Sequence, residues 1–146
     1  MADLDKIIHE EEKKIATKFN LFVGFPMTIA GEGMQLATKA GLMDYNWATG
    51  HLSDFGIVFQ TSALMYNVTS KFSKYIRTAA SLLPPIIATI HEYYPMWNGE
   101  NVTDHTDTAL FWLGWAASMA GIKYLASRKA KREAAQEYGL RTPAPY

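Results

Sequence analysis

The sequence predicts an all-α protein, a four-helix transmembrane bundle with both termini on the same, basic side. Three observations predict it. Four runs are uncharged or nearly so: FNLFVGFPMTIA (19–30, continuing past Glu32 toward Thr38), FGIVFQTSALMYNVTS (55–70), TAASLLPPIIATI (78–90) and TALFWLGWAASMAGI (108–122). The connections between them alternate in charge. Lys71, Lys74 and Arg77 follow the second run with no acid among them, whereas HEYYPMWNGENVTDHTD (91–107) has acids, histidines and aromatics but no base. Four crossings with the N-terminus inside put every one of the 14 Lys and Arg except Lys39 on one side, the asymmetry of the positive-inside rule. Finally, a lone chain of 146 residues supplies too few strands for a barrel, so helix is the spanning state.

Run length alone does not separate a membrane bundle from a soluble one. A crossing needs about 20 mostly apolar residues, and runs of about 10–14 also suit a buried core helix. Flanking Lys and Arg that snorkel extend each run to about 18–20 positions. The mean hydropathy of −0.10 is ordinary for a soluble chain. Charge placement decides for the membrane, because a soluble four-helix bundle has no reason to alternate basic and base-free connections.

In chain order, residues 1–16 form an amphipathic segment. Leu4, Ile7, Ile8 and Ile15 recur among charges, a pattern that suits the inner membrane surface. Residues 17–126 hold the four crossings, at about 17–35, 54–72, 76–94 and 106–126. Pro26 interrupts the first and the Pro84-Pro85 pair the third, breaks that membrane helices tolerate when neighbours satisfy the freed carbonyls. Residues 33–48 are too polar to cross and too apolar for a plain loop, so a short interfacial helix is expected there. Residues 127–146 are a basic tail, helical to about Tyr138. Trp47, Tyr93, Tyr94 and Trp97 gather on the outer side, as a headgroup belt requires.

Composition excludes several chemistries. A net charge of zero gives no footprint for nucleic acid. With no cysteine there is no disulfide framework, thiolate metal site or cysteine nucleophile. HExxH, GxSxG and phosphate-loop signatures are absent. No cofactor is legible. The partners expected are the lipid bilayer and either other membrane subunits or further copies of this chain. The membrane is a cell membrane or an organellar inner membrane.

The candidate site residues are acids on the outer side. Glu32 falls in the outer half of the first crossing, at a depth where a carboxylate faces a cavity, a partner or a polar pathway, or else marks the interface itself. Asp54 and Asp104 stand where helices are expected to start, so each is also a candidate N-cap. Glu92 follows His91 at the end of the third crossing. Asp107 lies seven residues before Gly114 and shares a helix face with Gly114, Ala117, Ser118 and Gly121, small residues that let another helix approach. Glu32, Glu92 and Asp107 are expected to converge at one outer mouth. With so little positive charge on that side, their partners would be a shared proton, His91 or His105, water, a metal ion or a cationic ligand group. Carboxylate with imidazole suits zinc, and carboxylates alone suit hard cations. Scattered surface acids would give the same pattern.

The arrangement resembles the VanZ-like membrane proteins over residues 53–122. Ser53-Asp54 opens a crossing, Glu92 closes the next one before Pro95, and Asp107 precedes Gly114 by seven, as in that family's D-x-x-x-N-x-x-G element. Phe55 stands where the family has lysine, Pro95 where it has glutamine and Phe111 where it has asparagine. The resemblance implies a small multi-span protein of a family associated with glycopeptide (teicoplanin) resistance. The leading expectation is a VanZ-like protein with an acid-lined outer pocket that binds or modifies a lipid-linked or envelope substrate, with Glu32, Asp54, Glu92 and Asp107 as its headgroup, cation or proton ligands. A non-catalytic accessory subunit of a larger membrane complex is the competing expectation.

Overall fold

The structure is a computed structural model that describes residues 2–94 and 105–137; Asp104, Trp97 and the tail beyond residue 137 lie outside that range. Every regular element among the described residues is helical. Four helical columns form. The first joins α1 (Ala2–Phe19), a π-helical turn (Asn20–Gly24) and α2 (Phe25–Lys39). The second is α3 (Trp47–Val68). The third is α4 (Lys74–Ser81) followed by α5 (Leu83–Tyr93), and the fourth is α6 (His105–Glu137).

Local chemistry explains the boundaries. Pro26 does not break the first column, because it occupies the first turn of α2, where a missing N–H costs least. The chain prepares for it with the π turn, in which the Phe25 N–H reaches back to the Asn20 carbonyl. Gly41, at φ 72°, ends the column, having no Cβ to oppose a left-handed backbone. Asn46 starts α3 through a capping box. Its side chain accepts from the Thr49 N–H at 3.1 Å, and the Thr49 hydroxyl accepts from the Asn46 N–H at 2.8 Å. Pro84 and Pro85 begin α5, so the helix before them stops at Leu82.

Three expectations change here. Residues 33–48 make no separate interfacial helix: α2 runs through Lys39, and α3 begins already at Trp47. Asp54 is therefore two turns inside α3 and caps nothing. The N-terminal segment does not splay away either; α1 packs on α6 and α3. Glu11, 2% exposed, accepts from Lys129 Nζ on α6 at 2.7 Å and from Lys14 Nζ at 2.6 Å. These two ammonium groups hold its carboxyl below the usual carboxylate range.

Glycine sets how closely the columns approach. A Cβ on Gly31 would stand 2.6 Å from Ser53 Cα, one on Gly24 2.6 Å from Gln60 Cβ, and one on Gly56 2.8 Å from the Thr28 nitrogen. The backbones of α2 and α3 touch. Gly114 brings α6 equally near α3, where a Cβ would lie 2.8 Å from the Phe55 carbonyl oxygen. Gly121 makes room for the Phe19 ring, and Ser118 is fully buried. Ala117 differs from expectation, since it is exposed and outside this packing face. Ile15, Ala16, Ala63, Tyr66, Met119, Ile122 and Ala126 pack together below these crossings, with Phe19 and Trp115 against them.

The interior is unusually polar. Thr49, His51, Ser53, Ser62, Arg77, Ser81 and Ser118 are all buried. Arg77 donates to His9 Nδ1 at 2.6 Å and to Glu12 Oε2 at 2.8 Å, with its guanidinium 4.1 Å above the Tyr66 ring. The exterior carries the apolar bulk, including Phe22 (74% exposed), Leu36, Ile57, Ile87, Leu113 and Leu125. Among the described residues, no helix is long and apolar enough to cross a membrane. The reason is visible in α3, whose inward face spends positions on Thr49, His51, Ser53, Asp54 and Ser62, and in the third column, which Leu82 divides into two short helices.

Candidate functional site

At the end of the bundle where α2 stops and α3 and α6 begin, three side chains meet. His51 and Asp54 are three residues apart on α3, a spacing that puts them on one helix face. Asp107 arrives from the first turn of α6. His51 Nδ1–H donates to Asp107 Oδ1 at 2.5 Å, and the two side chains are 10% and 21% exposed. Asp54, half-buried, adds a second carboxyl to the pair. One donor atom from each of the three lies within 4.8 Å of the others.

The scaffold around them is stiff. Gln35 on α2 donates to Ser53 Oγ at 2.9 Å and to the Gly50 carbonyl at 3.2 Å, fixing the stretch between the histidine and the aspartate. Beneath that bond Gly31 presses on Ser53. Trp47 lies 5.5 Å from the His51 ring. A cavity of about 270 Å³ opens beside the cluster, lined by Gln35, Thr38, Lys39, Tyr45, Thr49, Gly50, His51 and Asp107. Lys39 is the basic residue in this lining. A second cavity of about 580 Å³ lies between α3 and α5, and Asp54, His91 and Glu92 line it together with apolar side chains.

The other sequence candidates fall around this centre. Glu92 is half-buried and shares the α3–α5 cavity with Asp54. Glu32 is exposed and lines a different groove, between α2 and α3, away from the cavity that Asp107 lines. His91 is exposed at the rim of the α3–α5 cavity. His105 pairs with the Tyr93 hydroxyl at 2.9 Å and joins the end of α5 to the start of α6. The structure therefore brings Asp54 and Asp107 together, and the histidine beside them is His51. Its signal was H-x-x-D, HLSD at 51–54, hidden because α3 was expected to start only at Asp54.

The chemistry of the set is definite. His51 Nδ1 faces the Asp107 carboxylate, so a cation held among the three would take the place of the proton between that nitrogen and that oxygen. An imidazole nitrogen with two carboxylates suits a divalent cation such as Zn²⁺ or Mn²⁺, and carboxylates within 4.8 Å of each other favour a cation or a shared proton between them. Comparison with protein-family models, with curated proteins and with solved structures returns no match.

Proposed function

We propose that this chain is a VanZ-like integral membrane protein whose His51–Asp54–Asp107 triad holds a divalent cation at the outer face, and that the cation binds the head of a lipid-linked or envelope substrate. The observation that carries this reading is the approach of the three donors to within 4.8 Å in a half-buried setting, with a cavity beside them. Support for the bilayer comes from the reversed surface, polar within and apolar without, together with the charge asymmetry of the connections. Exposed apolar area on this scale marks contact with lipid or protein. In such a bundle the lipid-facing surface is assembled from several helices, while the polar residues that lower each helix's hydropathy turn inward.

The test is Mn²⁺ binding to the purified chain in detergent, read by electron paramagnetic resonance, with competition by Zn²⁺. His51→Ala, Asp54→Asn and Asp107→Asn should each weaken binding at least about tenfold, on the scale seen when groups that hold a metal are removed. Mn²⁺ affinity unchanged in all three variants would refute the site.

A second reading has its own observation. Ala116, Ala117 and Ala120 are exposed on α6, a small-residue strip on which a helix of another subunit or a second copy can pack closely. That favours an accessory subunit without chemistry. Size analysis after mild extraction separates the two, because the accessory reading requires a larger assembly.

A further inference from the structure

The groove between α1 and α6, at the basic end of the bundle, collects positive charge. Leu125, Arg128, Lys129 and Arg132 follow one another along α6 at offsets of three, four and seven, which places them on one helix face. With Ile15 of α1 they line a cavity of about 280 Å³, and no acid among the described residues lines it. Lys129 is already engaged, 2.7 Å from one Glu11 oxygen and 3.6 Å from Glu133, while Lys14 meets the other Glu11 oxygen at 2.6 Å. Those two ammonium groups and two carboxylates cancel. Arg128 and Arg132 are left over: both are exposed, and neither has a hydrogen-bond or ion-pair partner among the described residues.

Two uncompensated guanidinium groups one helical turn apart suit an anion with several acceptor oxygens. A guanidinium meets phosphate through two parallel N–H···O bonds, so one phosphate group can engage both forks directly. What carries the phosphate follows from where the groove lies. With Asp107 at the outer face, Arg128 is about 31 Å further along α6, counted at about 1.5 Å per residue. A hydrocarbon core is about 30 Å thick, so the two arginines reach the headgroup level of the opposite leaflet. Tyr124, 63% exposed, stands one turn before Arg128 as interfacial aromatics do, and Leu125, 39% exposed, continues the lining toward the apolar exterior. A soluble phosphate would leave that apolar wall in water. We infer that this groove binds the phosphate group of an anionic phospholipid in the leaflet at the basic end. The inference rests on the bilayer part of the function proposed above and not on the triad.

The experiment is native mass spectrometry of the full chain in detergent, titrated with phosphatidylglycerol and, separately, with phosphatidylcholine of the same acyl chains. Each basic residue near an anionic lipid contributes roughly fivefold, so phosphatidylglycerol should bind about 25-fold tighter. Arg128→Gln and Arg132→Gln should each weaken it about fivefold, and the double variant should lose the preference. Both side chains are exposed and unpartnered among the described residues, so these variants keep the fold. Lys129 is left intact, because removing it would strand the buried Glu11 carboxylate. Lys123→Gln and Lys131→Gln remove bases of the same helix outside the lining and should leave the affinity unchanged. Equal binding of the two lipids would overturn the site. So would equal losses at the lysines and the arginines, by showing diffuse attraction in place of a groove. If polyglutamate or inorganic phosphate binds the arginines more tightly than the lipid does, the occupant is an acidic segment or a soluble phosphate and the lipid assignment is wrong. Release of the chain from membranes by alkaline carbonate would instead sink the underlying bilayer reading, whatever the titration gives.

Discussion

Gly31 and Gly33 lie on the same helix two residues apart, and alanine at each should act in opposite directions. Both changes remove a helix-interior glycine, which favours the helix by about 0.8–1 kcal/mol. At Gly33 nothing lies within 4 Å of the new methyl, so that gain stands alone. At Gly31 the methyl would meet Ser53 Cα at 2.6 Å and Ser53 Cβ at 2.8 Å. Those atoms belong to the α3 backbone, which cannot swing aside as a side chain can, so overpacking costs about 1–3 kcal/mol. The propensity gain cancels between the two variants, leaving Gly31→Ala less stable than Gly33→Ala by about 1–3 kcal/mol. At about 2–4 °C per kcal/mol for a chain near this size, the melting temperatures should differ by about 2–12 °C. The assay is thermal unfolding by circular dichroism in one detergent. Ser53 stands next to Asp54, so Gly31→Ala should also weaken Mn²⁺ binding while Gly33→Ala leaves it unchanged. Coincident melting curves would refute the backbone contact between α2 and α3.

Arg77→Met leaves the Glu12 carboxylate and the His9 ring without their donor, and breaking a buried pair in this way should cost about 3–5 kcal/mol. A double-mutant cycle with Glu12→Gln measures the coupling, and a value near zero would show the cluster to be solvated. Glu11 has a depressed folded-state pKa, so its pairing with Lys129 and Lys14 stabilises fully above the ordinary value of 4.5 and is lost as pH falls through the folded value. The parent chain should accordingly lose stability on acidification below that value, and Glu11→Gln should flatten this part of a melting-temperature profile; identical acid limbs would contradict the pairing. The chain has no cysteine, so Ser70→Cys and Met43→Cys report single positions. An impermeant thiol reagent outside sealed vesicles should label position 43 only, and labelling of both would sink the topology.

The all-helical class and the four columns were legible because apolar runs long enough for helices are separated by polar connections. The boundaries were not, for an identifiable reason. His51 and Ser53 look like loop residues when polarity is equated with exposure, yet both are buried on the inward face of α3. Reading them as loop moved the start of α3 to Asp54, turned an interior carboxylate into a candidate cap and hid the histidine beside it. Arg77 was counted among the bases of an exposed connection, whereas His9 and Glu12, nearly seventy positions away, enclose it. Glu11 stands in an EEE run that reads as solvent-facing, and only the return of α6 supplies Lys129 to cover it. Asp54 and Asp107 were legible individually; their meeting depended on Gly114 drawing α6 against α3, a distance no local pattern encodes.

The π turn at Asn20–Gly24 works as a spacer one residue long. Inward positions of the first column step by four from Ile15 to Phe19, by five from Phe19 to Gly24, and by four again from Gly24 to Thr28. Without the extra residue the two halves of the column would be offset by about 100° about their common axis, one position in a 3.6-residue turn. α1 could then keep Ile15 and Glu11 against α6, or α2 could keep Gly24 and Gly31 against α3, but not both. The column is two helices with different inner faces spliced in phase, and trimming a single residue such as Leu21 would uncouple them more severely than many substitutions along either half.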